Sequence, residues 1–430
     1  MFRAGFARVD VTPPLGSILT GYFAPRISDG VLDPVELNAL AIGNEEDSIL
    51  IITGDFMYGH EAALTRFRKL IAEQTKVPED HILIQSIHQH TSTSVGYPGV
   101  TDEHYQHVLE CKFCDVARMA VNDMAEAKVS IAQQETAEQV SFIRRYRMKD
   151  GSTQTNPVGN PDRVAPIGKA DNTVRLVKFE REGAKDIALV NFQTHPDVIG
   201  GNKYSADWPG FVRRMTERDI PDVHCILVNG CQGDTNHYNL DAEKLPGGYE
   251  HSRHMGRVIT DTVVKIWDQT KEVAPGKISG KVVMKRTPTN MVGLDRVEES
   301  IAALKALNEG TYDKPVTMGD RGEFRRIANM EKTTLVQVVP VSMVAFGNIA
   351  LIGYGGEPFT EYADIPRNAV PELLVLSACL ANGALGYLPS KSAFEEGGYE
   401  SRTTNLTADV APALQNEAIA MLREHVANNK

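Results

Sequence analysis

The sequence predicts an α/β protein with a layered fold, in which a mixed central β-sheet is flanked by helices. Short apolar runs bounded by turn residues recur along the chain, as in SILIITGDF, HILIQSIH and DIALVNFQTH. Stretches with the apolar period of an amphipathic helix separate several of these runs. Buried strands that alternate with helices are typical of sheets covered by helices on their faces.

The elements follow one another in a regular order. Six apolar runs predict buried strands: SILIITGDF (48–56), HILIQSIH (81–88), TVRLVKFE (173–180), DIALVNFQTH (186–195), CILVNGCQGD (225–234) and MVAFGNIALIGYGGE (343–357). Apolar residues at helical spacing predict helices over 61–75, 102–127, 208–218, 250–270 and near 296–308, and LQNEAIAMLREHV near the end also reads as helical. Further strands are predicted at 279–287 and 334–352.

The whole chain, residues 1–430, is predicted to form one domain. The turn-rich segment EVAPGKISG, at 272–280, is the best candidate for a subdomain boundary. Neither an internal repeat nor a low-complexity tract interrupts the sequence. At 430 residues, one large domain or two modest ones are both possible, and one domain is the prediction.

Composition narrows the class of protein. The chain is 42% hydrophobic and 23% charged, which is ordinary for a soluble globular protein. A formal net charge of -11 argues against nucleic acid or an anionic membrane as the main partner.

The first residues, MFRAGFARVDVTPPLG, lack the apolar core of a secretory signal, and no apolar run is long enough to span a bilayer. A cytoplasmic location is expected. The five unpatterned cysteines, Cys111, Cys114, Cys225, Cys231 and Cys379, fit reduced thiols.

Polar residues with metal-binding or proton-transfer chemistry follow several of the predicted strands. In open α/β sheets, ligands collect beyond the carboxyl ends of strands. The residues at such positions are Asp55, His88 and His90, His195, Asp234 and Glu357. A single polar residue there commonly caps a turn, but five strands with this ending predict a shared polar site.

The segment SIHQHTSTSVG, residues 86–96, contains the most suggestive pair. A lone histidine near a strand end is more often a structural hydrogen-bonding residue than a ligand. In an extended segment, however, residues i and i+2 point to the same side. We therefore expect His88 and His90 to face one volume, where they could share a metal ion or divide metal binding and proton transfer between them.

Other histidine and cysteine groupings are weaker candidates. On a helix, His104, His107, Cys111 and Cys114 would share one face but spread over roughly 15 Å, too far for one zinc ion, so a packing face is expected. His251 and His254 form a helical pair expected at the surface or behind a site. The sequence lacks HExxH, GxSxG, GxGxxG and the phosphate-loop signature, which leaves little support for several common enzyme classes.

An ordered set of motifs resembles the catalytic domain of the neutral/alkaline (non-lysosomal) ceramidase family. In chain order the motifs are DVTPPLG, ILIITGDF, SIHQHTSTSVG, IRRYRMKDG, VNFQTHPDVIG, SADWPGF, NGCQGDTN, GGEPF and GYLPSKSAFEEGGYES. The resemblance covers about residues 4–405. It implies a Zn²⁺-dependent hydrolase with one zinc ion per chain, in which metal-bound water attacks the amide carbonyl of a small N-acylated substrate.

The resemblance also implies site residues. His88, His195, Glu357 and Tyr387 match the family's metal ligands, although Tyr399 lies near the matching tyrosine segment. Imidazole, carboxylate and phenolate donors suit Zn²⁺. His90 is expected to transfer a proton to the leaving group. Arg145 is expected to contact a substrate oxygen, with Arg144 left as the alternative.

Two aspartates complete the predicted site, and the remaining features separate the possible functions. Asp207 and Asp234 are expected to orient the histidines, with turn capping as the alternative for each.

The family's GDVSPN segment reads GDTNHY here, so its serine is missing and a metal-water mechanism is favoured. The same site could act on an ester or a glycosidic bond, or the protein could be a non-enzymatic metal- or ligand-binding protein. A small-molecule substrate is expected, without nucleic acid or stable membrane association, and the sequence does not indicate the oligomeric state.

Overall fold

A computed structural model describes residues 1–429 and shows a mixed α/β fold, which confirms the predicted class. In chain order the strands are β1 (Arg3–Asp10), β2 (Ile18–Leu19), β3 (Arg26–Ile27), β4 (Gly30–Val31), β5 (Glu36–Gly43), β6 (Ser48–Gly54), β7 (Ile82–Ser86), β8 (Ala125–Glu135), β9 (Phe142–Ile143), β10 (Arg145–Met148), β11 (Thr153–Thr155), β12 (Arg163–Pro166), β13 (Thr173–Arg181), β14 (Asp186–Phe192), β15 (Lys203–Tyr204), β16 (Val223–Asn229), β17 (Thr235–Asn236), β18 (Lys271–Val273), β19 (Ile278–Pro288), β20 (Val336–Phe346), β21 (Ile349–Tyr354), β22 (Glu357–Pro358), β23 (Leu374–Ala378) and β24 (Tyr387–Leu388). The helices are α1 (Glu61–Thr75), α2 (Glu103–Asn122), α3 (Asp207–Asp219), α4 (Tyr249–Trp267), α5 (Val297–Glu309), α6 (Met318–Ala328), α7 (Glu361–Ala369), α8 (Lys391–Glu396), α9 (Tyr399–Thr403) and α10 (Val410–Asn428).

The larger sheet is mixed and has nine strands. Its order is β16-β14-β13-β8-β1-β5-β6-β7, and β18 pairs with β8 beside this path. The pairs β6/β7 and β14/β16 are parallel, whereas the other neighbours are antiparallel. The two parallel pairs therefore lie toward opposite edges of the sheet.

A second sheet of four strands packs against the first. Its order is β19-β20-β21-β23, with β21 and β23 parallel. Phe346 of this sheet lies 5.9 Å from Phe179 of the larger sheet and 5.8 Å from Phe2, just before β1, measured between ring centroids. The chain enters the second sheet at Ile278, within the segment predicted as a subdomain boundary. The single-domain assignment stays a prediction.

Helices cover the outer faces of both sheets. On the larger sheet, α1 and α2 pack over β5 to β7, where the Phe67 and Phe113 rings lie 4.9 Å apart, and α3 and α4 pack over β14 and β16. On the second sheet, α7 and α10 cover β20, β21 and β23. The result is a four-layer arrangement with the two sheets in the middle.

Most predicted elements are present, with specific differences. The helix predicted over 61–75 coincides with α1, whereas the one predicted over 102–127 ends at Asn122 because the chain turns into β8 at Ala125. The single strand predicted over 334–352 is a hairpin of β20 and β21. It turns at Gly347, whose φ of 54° favours glycine.

Among residues 1–429, no helix is both long enough and apolar enough to cross a bilayer.

Candidate metal centre

The candidate site lies where three parallel strand pairs end. The pairs are β6/β7, β14/β16 and β21/β23. His88 follows β7, His195 follows β14 and Glu357 follows β21, so the carboxyl ends of these strands bring the three side chains together. This is the placement that the strand-end pattern predicted.

The backbone of the HQH segment differs from the predicted extended strand. Strand β7 ends at Ser86, and His88 has a φ of 84°, which is unusual for a residue other than glycine. Between the two histidines, Gln89 donates hydrogen bonds to Asp55 Oδ1 (3.0 Å) and to the Ala206 carbonyl (3.3 Å). His88 and His90 nevertheless face one volume, with ring centroids 5.1 Å apart.

Asp55 supports this loop rather than joining the histidines. Its carboxylate accepts two hydrogen bonds from Arg213, at 2.5 and 2.9 Å, and both side chains are fully buried. Burial raises the pKa of the Asp55 carboxyl, whereas Arg213 opposes that shift. Arg213 also donates a 3.0 Å hydrogen bond to Glu36, so the three charged groups form one ion-pair network beneath the loop.

His88 and His195 present the same ring atom to the site. The two Nε2 atoms lie 3.2 Å apart, while His88 Nδ1 lies 3.1 Å from the Met57 carbonyl and His195 Nδ1 lies 3.4 Å from the Gln232 carbonyl. With its proton on Nδ1, each ring donates to a carbonyl and turns the Nε2 lone pair toward its neighbour. A carbonyl behind each ring is the usual way to orient metal-binding imidazoles.

Glu357 places a buried carboxylate beside these nitrogens. Its Oε2 atom lies 3.1 Å from His88 Nε2 and 3.9 Å from His195 Nε2, yet it receives no hydrogen bond of good geometry. Its Oε1 atom accepts a 3.3 Å hydrogen bond from the Tyr58 hydroxyl. Burial acts to raise the pKa of Glu357, but His88 and Arg144 outweigh it and lower the pKa.

Tyr387 lies directly opposite Glu357. The two residues are partners in the short parallel pairing of β22 with β24. The Tyr387 ring packs 5.4 Å from the Tyr399 ring and 5.2 Å from the Arg144 guanidinium carbon. Burial and the Glu357 charge raise the pKa of the Tyr387 hydroxyl well above its ordinary value. The Arg144 charge opposes this shift without reversing it, so a metal ion bound to the oxygen would be needed to hold Tyr387 as phenolate.

His90 is buried with both ring nitrogens lacking hydrogen-bond partners. Its Nδ1 atom lies 3.5 Å from Asp197 Oδ1, and the Tyr22 hydroxyl donates a 2.5 Å hydrogen bond to the same oxygen. Burial and the neighbouring His88 lower the pKa of His90 well below its ordinary value. A side chain at Gly21 would come within 2.7 Å of His90 Nδ1, so glycine makes room for this ring.

The structure corrects the choice between the two arginines. Arg144 Nη1 lies 3.4 Å from His195 Nδ1, and its other nitrogens donate to Glu400 at 2.7 Å and to the Gly233 carbonyl at 2.8 Å. Arg145 points away, toward Glu396 and the Gly397 carbonyl. Successive side chains of extended backbone face opposite sides, so only one of the two arginines can reach the site.

The two predicted orienting aspartates do not contact the histidines. Asp234 accepts hydrogen bonds from the amide and hydroxyl of Thr360, both at 2.9 Å, and thereby anchors the chain just after Glu357. Asp207 accepts from the amides of Val198 and Ile199 and so holds the loop that follows His195. Both carboxylates act on loops, which corrects their expected contact with imidazole.

Asp197 is the side chain near His90 that sequence reasoning missed. It follows His195 by two residues in THPD, and that proximity was the available signal. Its side chain is one-third exposed, and burial raises the pKa of its carboxyl to about 6.

The donors fit a metal ion. His88, His90 and His195 each offer a ligand atom within 4.8 Å of the others, and residues 1–429 contain no other such group of three. Two nitrogens bound to one tetrahedral zinc ion lie about 3.3–3.4 Å apart. The observed 3.2 Å between the Nε2 atoms is close to this value, and Glu357 Oε2 supplies a further buried donor without a partner. These residues could hold a metal ion.

The weaker candidates lie elsewhere. His104, His107 and Cys111 are exposed on α2, so the packing role predicted for them is wrong, and only Cys114 of that stripe is buried. His254 is exposed and pairs with Glu138 at 3.0 Å. All five cysteines are free thiols, as expected.

The solved structures that share this fold include two ceramidases. One is a neutral ceramidase from Pseudomonas aeruginosa, with a TM-score of 0.74 and 16% identity over 98% of this chain and 75% of that one. The other is a ceramidase complexed with C2, with a TM-score of 0.74 and 14% identity over 99% of this chain and 75% of that one. No family model and no curated protein sequence matches the chain. At this identity the likeness establishes the fold.

Proposed function

We propose that the protein is a zinc-dependent hydrolase that cleaves the amide of a small N-acylated substrate, with one zinc ion per chain. The observation that carries the proposal is the convergence of two imidazole Nε2 atoms, 3.2 Å apart, on the unpartnered Glu357 Oε2. Buried groups of this kind are normally paired or bound to metal. His88, His195, Glu357 and Tyr387 would hold the ion.

When bound, zinc would supply Lewis-acid activation of water and of a carbonyl oxygen at neutral pH. The protein's own groups complete the chemistry. His90 is neutral because burial lowers its pKa, so it can accept a proton from the attacking water and pass it to the leaving amine. With Nδ1 near Asp197, Nε2 is the atom available for this transfer. Arg144 would hold the developing negative charge on the carbonyl oxygen.

Two lines of support favour an amide as the scissile bond. The solved structures that share the fold are ceramidases, and the ordered sequence motifs resemble a family of amide hydrolases. The bond still needs a direct comparison, because a fold can host hydrolysis of several linkages. Matched amide, ester and glycoside substrates with the same acyl or aryl group would rank the three possibilities.

Metal content tests the proposal. Protein purified without added metal should contain about one zinc per chain by elemental analysis, since two buried imidazole nitrogens and a buried carboxylate oxygen lie within 3.9 Å of one another. His88→Ala and His195→Ala should each lose that zinc. The exposed His254→Ala, which lies outside the group, is the matched control and should keep it. A wild-type protein that holds no metal after zinc is supplied would overturn the proposal.

A further inference from the structure

A cavity of about 660 Å³ adjoins the candidate metal centre. Glu357 and Tyr387 line it, so it leads to the proposed reacting bond. Its volume suits a small organic ligand. Aromatic side chains make up much of the wall: Tyr22, Phe23, Tyr58, Tyr97 and Tyr399.

Helix α6 forms a charged part of the same wall. It contributes Arg325 and Arg326, and Asn329 follows the helix. Among the described residues, Glu357 is the one acidic side chain that lines the cavity. The chain as a whole carries a net charge of -11, so a basic wall here departs from the general surface. The cavity is therefore suited to a negatively charged group.

The two arginines have different roles. Arg326 is buried, and its three guanidinium nitrogens donate to the carbonyls of Arg402, Asn290 and Val292. All of its nitrogens are thus used to fix α6 to the neighbouring chain. Arg326 is therefore held in place as part of the wall by three backbone carbonyls.

Arg325 is exposed and has no acidic partner among residues 1–429. The two carboxylates on α6 are committed elsewhere: Asp320 pairs with Arg402 at 2.7 Å, and Glu323 pairs with Arg296 at 2.8 Å and also with Arg402. Arg325 lines the cavity without an acidic partner, and an arginine side chain carries a flat fork of donors that matches a carboxylate.

We propose that the substrate carries a carboxylate, separated from the amide, which Arg325 binds at the wall of this cavity. The inference rests on the proposed hydrolase function, because it names the substrate class for the same site. Arg325 then selects acidic N-acyl compounds over uncharged ones, while the aromatic side chains contact the apolar part. The carboxylate can belong to the amine portion or to the acyl portion of the substrate.

Binding of non-hydrolysable ketones, in which a methylene replaces the amide nitrogen, tests this selection without requiring turnover. Benzoylpropionic acid and its primary amide place the charge on the amine side of the carbonyl. The phenethyl ketone of glutaric acid and its primary amide place it on the acyl side. Each pair is extended into a homologous series with longer methylene spacers, and dissociation constants are measured by calorimetry on the zinc-supplied protein.

In the wild type, the acid of at least one pair should bind about tenfold more tightly than its amide, since a hydrogen bond to a charged group contributes on that order. Arg325→Met should remove this preference, and Arg325→Lys should keep part of it. Lys314→Met removes an exposed positive charge outside the cavity lining and is the matched control, expected to keep the full preference. Arg325→Glu should reverse the preference.

A preference for the acid that survives Arg325→Met would overturn the inference, because the carboxylate would then bind another group such as the zinc ion. Equal binding of acid and amide in the wild type, or no binding of either, would also overturn it. Charge-selective binding without hydrolysis of the corresponding amides would overturn the proposed function, and would leave Arg325 as a carboxylate-binding residue of this cavity rather than as a residue that selects a substrate. Hydrolysis of the amides without charge selection would overturn this inference and leave the proposed function standing.

Discussion

His237 is a buried titratable residue outside the metal centre. Its side chain is 7% exposed, and its Nδ1 atom has no hydrogen-bond partner. The His251 ring lies 5.6 Å away and the Tyr238 ring 4.7 Å away. Burial, with a smaller contribution from His251, lowers the pKa of His237 to about 3. The folded protein therefore keeps this imidazole neutral where an unfolded chain would protonate it.

The stability of the protein should fall in acid because of this residue. An unfolded histidine titrates near 6.5, so below that pH the unfolded chain binds a proton that the folded protein excludes until about pH 3. Between pH 7 and pH 5 this proton binding lowers the free energy of unfolding by about 2 kcal/mol. His237→Gln should remove that part of the pH dependence in urea unfolding, whereas His254→Gln, at an exposed site, should leave it in place. If the free energy of unfolding depends on pH in the same way in the wild type and in His237→Gln, then His237 is not the cause of the acid destabilisation.

At the scale of residues, the side chains that come together at the site were predictable from the sequence, but several of their contacts were not. His88, His195 and Glu357 each follow a strand, and the ends of parallel strands converge, so their meeting was predictable. Whether Arg144 or Arg145 reaches the site depends on where β10 begins, a boundary that apolar periodicity does not define. The positive φ of His88 likewise depends on tertiary contacts rather than on its own side chain.

At the scale of elements, the loop between β16 and β17 fixes the position of Glu357. The Gly233 amide donates a 2.8 Å hydrogen bond to the Pro358 carbonyl, next to Glu357. A Cβ atom on residue 233 would come within 2.3 Å of the Glu357 carbonyl oxygen, which is backbone and cannot rotate away. The close approach of this loop to β22 therefore requires glycine.

Gly233→Ala should separate the loop from β22 and displace Glu357. We expect a loss of about 1–3 kcal/mol in the free energy of unfolding, as for other overpacked sites, together with weaker zinc binding. Urea unfolding and zinc titration would measure the two effects. Gly247→Ala is the control, because a Cβ atom on residue 247 would lie 3.8 Å from its nearest neighbour, the Val198 carbonyl oxygen, which is an ordinary contact. Unchanged zinc affinity in Gly233→Ala would show that the loop does not position the carboxylate.

Elements with a long apolar period were the easiest to predict. Helix α1 coincides with its prediction because four buried residues repeat along one face and the chain turns sharply at Lys76. Helix α6 escaped prediction because its arginines and glycines give it a weak apolar pattern. Its capping box, formed by Thr317 and Asp320, was a local signal of the helix start. The cavity wall that α6 supplies was consequently not foreseen.

At the scale of the whole molecule, the two sheets share one apolar interface. Phe346 of β20 packs against both Phe179 of the larger sheet and Phe2, which precedes β1, and is 2% exposed. Further apolar residues from both sheets, including Leu351 and Ile42, belong to the same buried cluster. The sequence predicted the mixed sheet but not its division into two, because strands in either sheet carry the same apolar pattern.

Because the sheets share this interface, we expect the second sheet to unfold together with the first. Phe346→Ala should lower the free energy of unfolding by about 3–5 kcal/mol, and amide hydrogen exchange should show the same loss of protection in β5 and in β21. Phe346→Leu keeps most of the side-chain volume and should cost less, on the order of 1.5 kcal/mol, again equally in both strands. If Phe346→Ala does not fold, the same measurements on Phe346→Leu test the prediction. Protection lost in β21 while β5 keeps its wild-type protection would instead place a domain boundary at 272–280 and refute the prediction of a single domain.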